Sequence, residues 1–147
     1  MSNVIGTLAK QLIALLEGVT ELQGRVSFSA GTDSDPQGIN LLVPGVVVTF
    51  AGDADAENQR PDGRQHQNIR HEFVVSVFIV NEKHNTNMVD VNLPVLESVI
   101  NSIKGVRAQG PTGQPTNYKW KYEGQRLLDV KSDRLHYAQR FSVLGPK

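Results

Sequence analysis

The sequence contains no cysteine and no excess of charge of either sign. Its 15 lysine and arginine residues balance 15 aspartate and glutamate residues, so the formal net charge is zero. The lack of cysteine excludes a disulfide scaffold, a cysteine nucleophile and thiolate metal sites. The balance of charge argues against a protein that holds the nucleic-acid backbone electrostatically, because such proteins carry a basic surplus. A neutral chain is instead suited to association with other proteins.

Long hydrophobic runs are also missing. The longest apolar stretch, Phe73 to Val80, is interrupted by Ser76 and is far shorter than the roughly 20 residues that a bilayer requires. The apolar patch Leu12 to Leu16 lacks the basic start of a secretion signal and has helical periodicity instead. We therefore expect a soluble protein that is made and used in a reducing cytoplasm, with no membrane partner.

The length of 147 residues predicts one domain, 1–147. Apolar residues at three- and four-residue steps predict an N-terminal helix that ends at Gly18, and these are Ile5, Leu8, Leu12, Leu15, Leu16 and Val19. Strands are predicted at 25–29, at 46–50 and, most strongly, at 70–80, where both faces are apolar. The intervening residues 51–67 are polar and predict a long loop, which in a compact domain is usually functional or disordered.

The second half of the chain predicts a helix and a strand pair. The helix has the apolar stripe Val89, Leu93, Leu96, Val99, Ile100 and Ile103. Pro94 lies inside this stripe, so the helix either kinks there or begins near Asn92, and the second alternative is slightly favoured. Gly105 is typical of a left-handed helix stop. A second long loop is predicted at 106–117, followed by strands at 118–130 and 135–144. This order predicts an α+β fold, with a mainly antiparallel sheet and two amphipathic helices packed on one face.

Motifs that carry enzyme chemistry are absent from the sequence. It has no phosphate-cradling loop, no dinucleotide-binding glycine pattern and no nucleophile elbow. His71-Glu72 lacks the second histidine of a zinc-binding helix, and the remaining histidines are scattered, namely His66, His84 and His136. The acidic run from Asp33 lacks the final glutamate of a calcium loop, and the run from Asp53 lacks its central glycine. We expect no catalytic residue, no cofactor and no metal.

The segment Tyr118 to Tyr122 alternates aromatic residues with lysine. One interpretation is a stacking platform for single-stranded nucleic acid. The other is a strand with its aromatic side chains against the core and Lys119 and Lys121 in solvent. Strand alternation separates aromatics from lysines and so favours the second interpretation.

Charge is unevenly distributed along the neutral chain. Residues 118–140 are mildly basic and residues 51–67 mildly acidic, a polarity that suits head-to-tail association around a ring but also ordinary surface scatter. The candidate interface residues are Asp53, Asp55, Glu57, Arg60, Arg64, Lys119, Lys121 and Arg126. Arg60 and Arg64 are candidates for pairing with a neighbour's carboxylates, because the arginine fork binds carboxylate bidentately.

The order of these elements, rather than any one motif, resembles the tail terminator family of tailed bacteriophages, the group similar to minor tail protein U. The matching pieces are the helix with Leu8, Leu12 and Leu15, the strand Pro44 to Phe50, the strand Glu72 to Val80, the helix end Leu96 to Gly105, and the closing strand Tyr137 to Val143. The polar loop 51–67 connects the two first strands in this layout.

The resemblance implies a structural virion protein without catalytic residues. Members of this family cap the head-proximal end of the tail tube as a hexameric ring, end tube polymerisation and join the tail to the neck. The partners implied are further copies of the chain, the tail tube protein, and neck, connector or sheath proteins. DNA passes through such a ring without sequence-specific recognition. The implied location is the virion tail, assembled in the host bacterial cytoplasm.

Alternatives to a terminator come from the same class and from others. A neck or tail-completion protein, or a tube-like subunit, would share this style of fold. A small cytosolic enzyme or binding module would require a deep pocket with convergent titratable groups of shifted pKa. A nucleic-acid-binding module would require strongly salt-dependent affinity for DNA.

Overall fold

The computed structural model describes residues 4–29, 43–56, 68–82, 85–110 and 112–146. Helix α1 spans Val4–Glu17 and is followed by a 3₁₀ turn, Thr20–Leu22, and strand β1, Val26–Ser29. Strands β2 and β3 span Gly45–Ala56 and Asn68–Val80. The helical turn α2, Asn85–Asn87, leads through a π-helical segment, Met88–Asn92, into helix α3, Pro94–Ile103. The remaining strands are β4, Arg107–Gln109; β5, Pro115–Lys119; β6, Lys121–Val130; and β7, Arg134–Pro146.

Within the described ranges, five strands form a mainly antiparallel sheet in the order β1-β2-β3-β7-β6, in which the β1–β2 pair is parallel. Strands β4 and β5 form a separate two-stranded sheet. The predicted α+β class is confirmed. No helix among the described ranges has both the length and the apolar character needed to cross a bilayer.

The hydrophobic core lies between one face of the five-stranded sheet and the two amphipathic helices. The register places Phe73 opposite Phe50 and Phe141, and Val75 opposite Val48, so these side chains share one face. Helix α1 buries Leu8, Leu12 and Leu16 against this face, as its periodicity predicted. Because each of these three leucines is at most 3% exposed, the spacing of α1 identifies its buried face correctly.

The predicted loop 51–67 is wrong over residues 51–56, which continue strand β2. Gly52 pairs with Glu72 and Ala56 with Asn68, after a bulge between Phe50 and Gly52. An antiparallel ladder is held by backbone hydrogen bonds, so a polar sequence can extend a strand when its neighbour is long enough. Residues 57–67, which are the rest of the predicted loop, lie outside the described residues.

The second predicted loop, 106–117, is also corrected, because it contains β4 and most of β5. The two strands are joined by a turn in which the Gly113 amide donates to the Gly110 carbonyl, and Gly113 has φ +86°. Trp120 then separates β5 from β6, since its amide donates to the Val106 carbonyl rather than to the large sheet. The predicted strand 118–130 is therefore two strands, and the predicted hairpin with the last strand is the β6–β7 pair.

Helix α3 begins at Pro94, in its first turn, which agrees with the favoured alternative. The chain before it is nevertheless helical, because the Leu93 amide donates to the Met88 carbonyl five residues back. The predicted apolar stripe is wrong at Val89 and Leu93, which are 61% and 36% exposed. A π-helical turn shifts the angular position of the residues before it, so spacing counted back from α3 no longer predicts burial. Gly105 has φ +80° and ends α3 as predicted.

Candidate assembly interface

Strand β6 is an edge of the five-stranded sheet and carries exposed apolar side chains. It pairs with β7 on one side, and no strand of the described residues pairs with its other side. Leu127, Leu128 and Val130 are 44%, 49% and 58% exposed. Edge strands present unpaired amide and carbonyl groups that can pair with another chain, and soluble proteins rarely leave such an edge apolar. This edge therefore has the character of an assembly surface.

A bulge explains why two consecutive leucines are both exposed. The register between β6 and β7 shifts between Leu127 and Asp129, so Leu128 is the inserted residue. A second shift lies between Tyr122 and Gly124. Bulges twist an edge strand and turn side chains away from the regular alternation. The sequence signal was the pair Leu127-Leu128, which breaks strand alternation, but strand prediction alone did not mark it as an exposed site.

Three of the predicted interface residues, Lys119, Lys121 and Arg126, are exposed and lie on or next to this edge. The β6 carboxylates have internal partners: Glu123 accepts a 2.6 Å hydrogen bond from the Ser142 hydroxyl, and Asp129 accepts one from the Val130 amide at 2.9 Å. The edge therefore presents basic side chains together with apolar ones.

The aromatic residues of 118–122 face the core rather than a ligand. Trp120 is 2% exposed and meets the Phe73 ring edge-on at 5.6 Å. Its indole N–H donates to Gln11 Oε1 at 2.9 Å. Tyr118 and Tyr122 are partly buried against the same core, and burial raises the pKa of the Tyr122 phenol. The core interpretation of this segment is confirmed.

Of the predicted acidic residues, only Asp53 has a side chain that the structure describes. Asp53, on β2, is engaged by His71 on β3, with 2.6 Å between Asp53 Oδ1 and His71 Nδ1. Asp55 lies two residues further along β2. Glu57, Arg60 and Arg64 lie outside the described residues, so their predicted pairing with a neighbour stays a prediction.

A second surface was missed by the sequence analysis and lies at the start of β2 and the end of β3. Glu21, Asp90 and Val91 line a shallow depression there, together with Pro44, Ile79 and Val80. Val91 is 59% exposed, and its neighbour Val89 is similarly exposed. Both carboxylates are exposed. The sequence pattern does not predict this surface, because helical periodicity places Val89 on a buried stripe.

Two histidines are buried in structural positions. His71 is 4% exposed and touches Asp53 through Nδ1, while Nε2 has no hydrogen-bond partner among the described residues. His136 stacks on Phe78, with 4.4 Å between ring centroids, and the Arg134 guanidinium carbon lies 5.7 Å from the Phe78 ring centroid. Within the described ranges, no cluster of three or more histidine, aspartate or glutamate residues is placed to hold a metal ion.

Comparison with known proteins gives a likeness in fold over nearly the whole chain. No family model matches the chain, and no curated protein matches it. Among solved structures, it is similar to a chain from the virion of a native gene transfer agent particle, at 15% sequence identity and a TM-score of 0.52. The alignment covers 97% of this chain and 98% of that chain. The protein therefore shares its fold with a chain of a gene transfer agent virion.

Proposed function

We propose that the protein is a structural component of a phage-like virion and acts as a tail terminator. In this role, copies of the chain close into a hexameric ring on the head-proximal end of the tail tube. The ring ends polymerisation of the tube protein and presents its outer face to neck or connector proteins. DNA passes through the ring without being read, and the chain performs no catalysis.

The observation that carries the proposal is the shared fold with a gene transfer agent virion chain over 97% of this sequence. A match of that extent is not a likeness of one common supersecondary motif. The order of helices and strands along the sequence independently resembles the terminator family. The shared fold supports a role in virion structure, and the resemblance of the sequence is the support for a terminator in particular.

The surface of the molecule is consistent with a protein that acts by assembly. An edge strand with exposed Leu127, Leu128 and Val130 offers both backbone hydrogen-bonding groups and apolar area to a neighbour. Two buried polar side chains form contacts within the chain: Gln11 accepts a hydrogen bond from Trp120, and His71 contacts Asp53. These features support an assembly role over a small-molecule one.

A tube-assembly experiment tests the proposal. The tail tube protein encoded in the same genome is polymerised alone and with increasing amounts of this protein, and tube lengths are measured by negative-stain electron microscopy. A terminator shortens the length distribution in proportion to its concentration. Gold-labelled chain then marks one end of each tube.

Other outcomes would replace the proposal with a named alternative. Label along the whole tube indicates a tube-like subunit, because such a subunit has two stackable faces. Binding to the purified connector without binding to tubes indicates a neck or tail-completion protein. Submicromolar affinity for DNA at physiological salt indicates a nucleic-acid-binding module. Tube lengths unchanged at every concentration, with no label on tubes or connector, contradict a virion role.

A further inference from the structure

We propose that the β6 edge of one copy docks on the Glu21–Asp90 surface of the next copy, so that the chain associates head to tail. The β6 edge is here defined by Lys121, Arg126, Leu127, Leu128 and Val130. The Glu21–Asp90 surface is defined by Glu21, Val89, Asp90 and Val91. This contact joins neighbouring copies in the proposed ring. That the contacts close into a ring rests on the proposed function.

The β6 edge presents two basic side chains, Arg126 and Lys121, that are weakly paired or unpaired within the described residues. Arg126 is exposed and has no ion-pair partner among the described residues. Lys121 has a 74% exposed side chain and reaches Glu123 only at 3.9 Å. Leu127, Leu128 and Val130, further along the same strand, are each more than two-fifths exposed. A partner for this edge should therefore bring carboxylates and apolar side chains together.

The Glu21–Asp90 surface has that composition. Asp90 is exposed between Val89 and Val91, which are 61% and 59% exposed, and Glu21 lies across the same shallow depression. Neither carboxylate forms an ion pair within the ranges that the structure describes. Acidic and apolar groups here match the basic and apolar groups of β6, and such complementarity steers association and sets its register.

The two surfaces lie at different places on one molecule, which makes the contact heterologous. The depression includes Pro44 beside β2 and Ile79 and Val80 on β3, whereas β6 lies beyond β7 in the sheet. Strand spacing of nearly 5 Å puts β6 about 10 to 14 Å from those strands. A surface that binds a different surface of an identical copy leaves a free surface at each end of a dimer. Such contacts close into rings when the rotation allows it and otherwise form open filaments.

Charge reversal tests the contact. Arg126→Glu and Asp90→Arg each place like charges opposite one another, and we expect each variant to weaken self-association about tenfold or more in Kd by sedimentation velocity. In an equimolar mixture, every contact between the two different variants has complementary charges, and the double variant has them at every contact. We expect both to recover association to within roughly threefold of the wild type. Lys10→Glu, an exposed change on α1, is the control and should leave association unchanged.

Each outcome decides for or against the contact. A symmetric contact between two β6 edges would place Arg126 of one molecule near Arg126 of the other. Asp90→Arg would then have no effect, and the mixture would not recover association. Either result overturns the inference. Single variants that associate like the wild type overturn it too. So does a wild-type chain that stays monomeric up to millimolar concentration, both with and without tube protein. Recovery by the mixture, with rings that fail to cap tubes, supports the contact and contradicts the terminator role.

Discussion

Gln11 links helix α1 to the β4–β5 hairpin and to Trp120, and its replacement by leucine is a direct test of how that region is held. The Gln11 side chain is buried at 5% exposure. Its Nε2 donates to the Arg107 carbonyl at 2.8 Å, and its Oε1 accepts from the Gln109 amide at 3.1 Å and from the Trp120 indole at 2.9 Å. Gln11→Leu removes all three hydrogen bonds while keeping a side chain of similar size.

The expected loss follows from the groups left without a partner. The Trp120 indole N–H is buried, and an unsatisfied buried donor costs about 1–3 kcal/mol. The Arg107 carbonyl and the Gln109 amide lie on the short strand β4, between exposed side chains, where water can replace part of each bond. We therefore expect the free energy of unfolding to fall by about 3 kcal/mol. For a chain of this size, that corresponds to a fall in Tm of roughly 10 °C.

Urea denaturation followed by tryptophan fluorescence measures this loss, because Trp120 is the only tryptophan. The matched control is Gln23→Leu, the same substitution at an exposed site. Combining Gln11→Leu with Trp120→Phe, followed by circular dichroism, should cost less than the sum of the two single changes, since both remove the same indole bond. A loss no larger than that of Gln23→Leu, or strict additivity with Trp120→Phe, would refute the reasoning.

Three further predictions concern other parts of the described chain. Gly105→Ala should cost about 1–2 kcal/mol in urea denaturation, because φ is +80° at this position, and Gly105→Asn should cost less since asparagine tolerates that conformation. Asp53→Ala should lower the free energy of unfolding, measured by thermal denaturation, by about 1–3 kcal/mol, because it removes the partner of buried His71. Asp133→Ala, at an exposed position, should leave the free energy of unfolding unchanged. Burial raises the pKa of Tyr122, so the folded state favours the neutral phenol. That stabilisation is complete below the ordinary tyrosine pKa of about 10 and is lost as pH rises through the raised value. Urea denaturation from pH 8 to 11 should show this loss in the wild type and less of it in Tyr122→Phe.

Some of the fold was available from the sequence because local chemistry determines it. The leucine spacing of α1 predicts its buried face, and the β3 alternation predicts that Phe73 and Val75 face the core. Gly105 marks the end of α3, since its left-handed conformation is costly for other residues. The alternation of Tyr118 to Tyr122 separates buried aromatics from exposed lysines. Each of these conclusions depends on a pattern shorter than about 20 residues.

The residues of the candidate interface could be predicted from the sequence only in part. The lysines and the arginine of β6 could be named from charge alone, but the surface that complements them could not. Asp90 and Val91 lie on the π-helical segment, whose turn leaves them exposed. Glu21, on the 3₁₀ turn Thr20–Leu22, lines the same depression only because the tertiary fold packs these elements around Pro44. Asp53 has the charge of an interface residue but is held by His71 across the β2–β3 ladder.

The sequence by itself therefore determined the class of fold, the buried faces of α1 and β3 and the end of α3, because side-chain periodicity and glycine conformation are local properties. Only the tertiary structure decided that β2 extends to Ala56, that Arg107 begins a strand, and that Leu127 and Leu128 are both exposed. Backbone hydrogen bonds between strands do not depend on side-chain polarity, and the exposure of an edge depends on which strand is last in the sheet. Neither can be read from one segment without its neighbours.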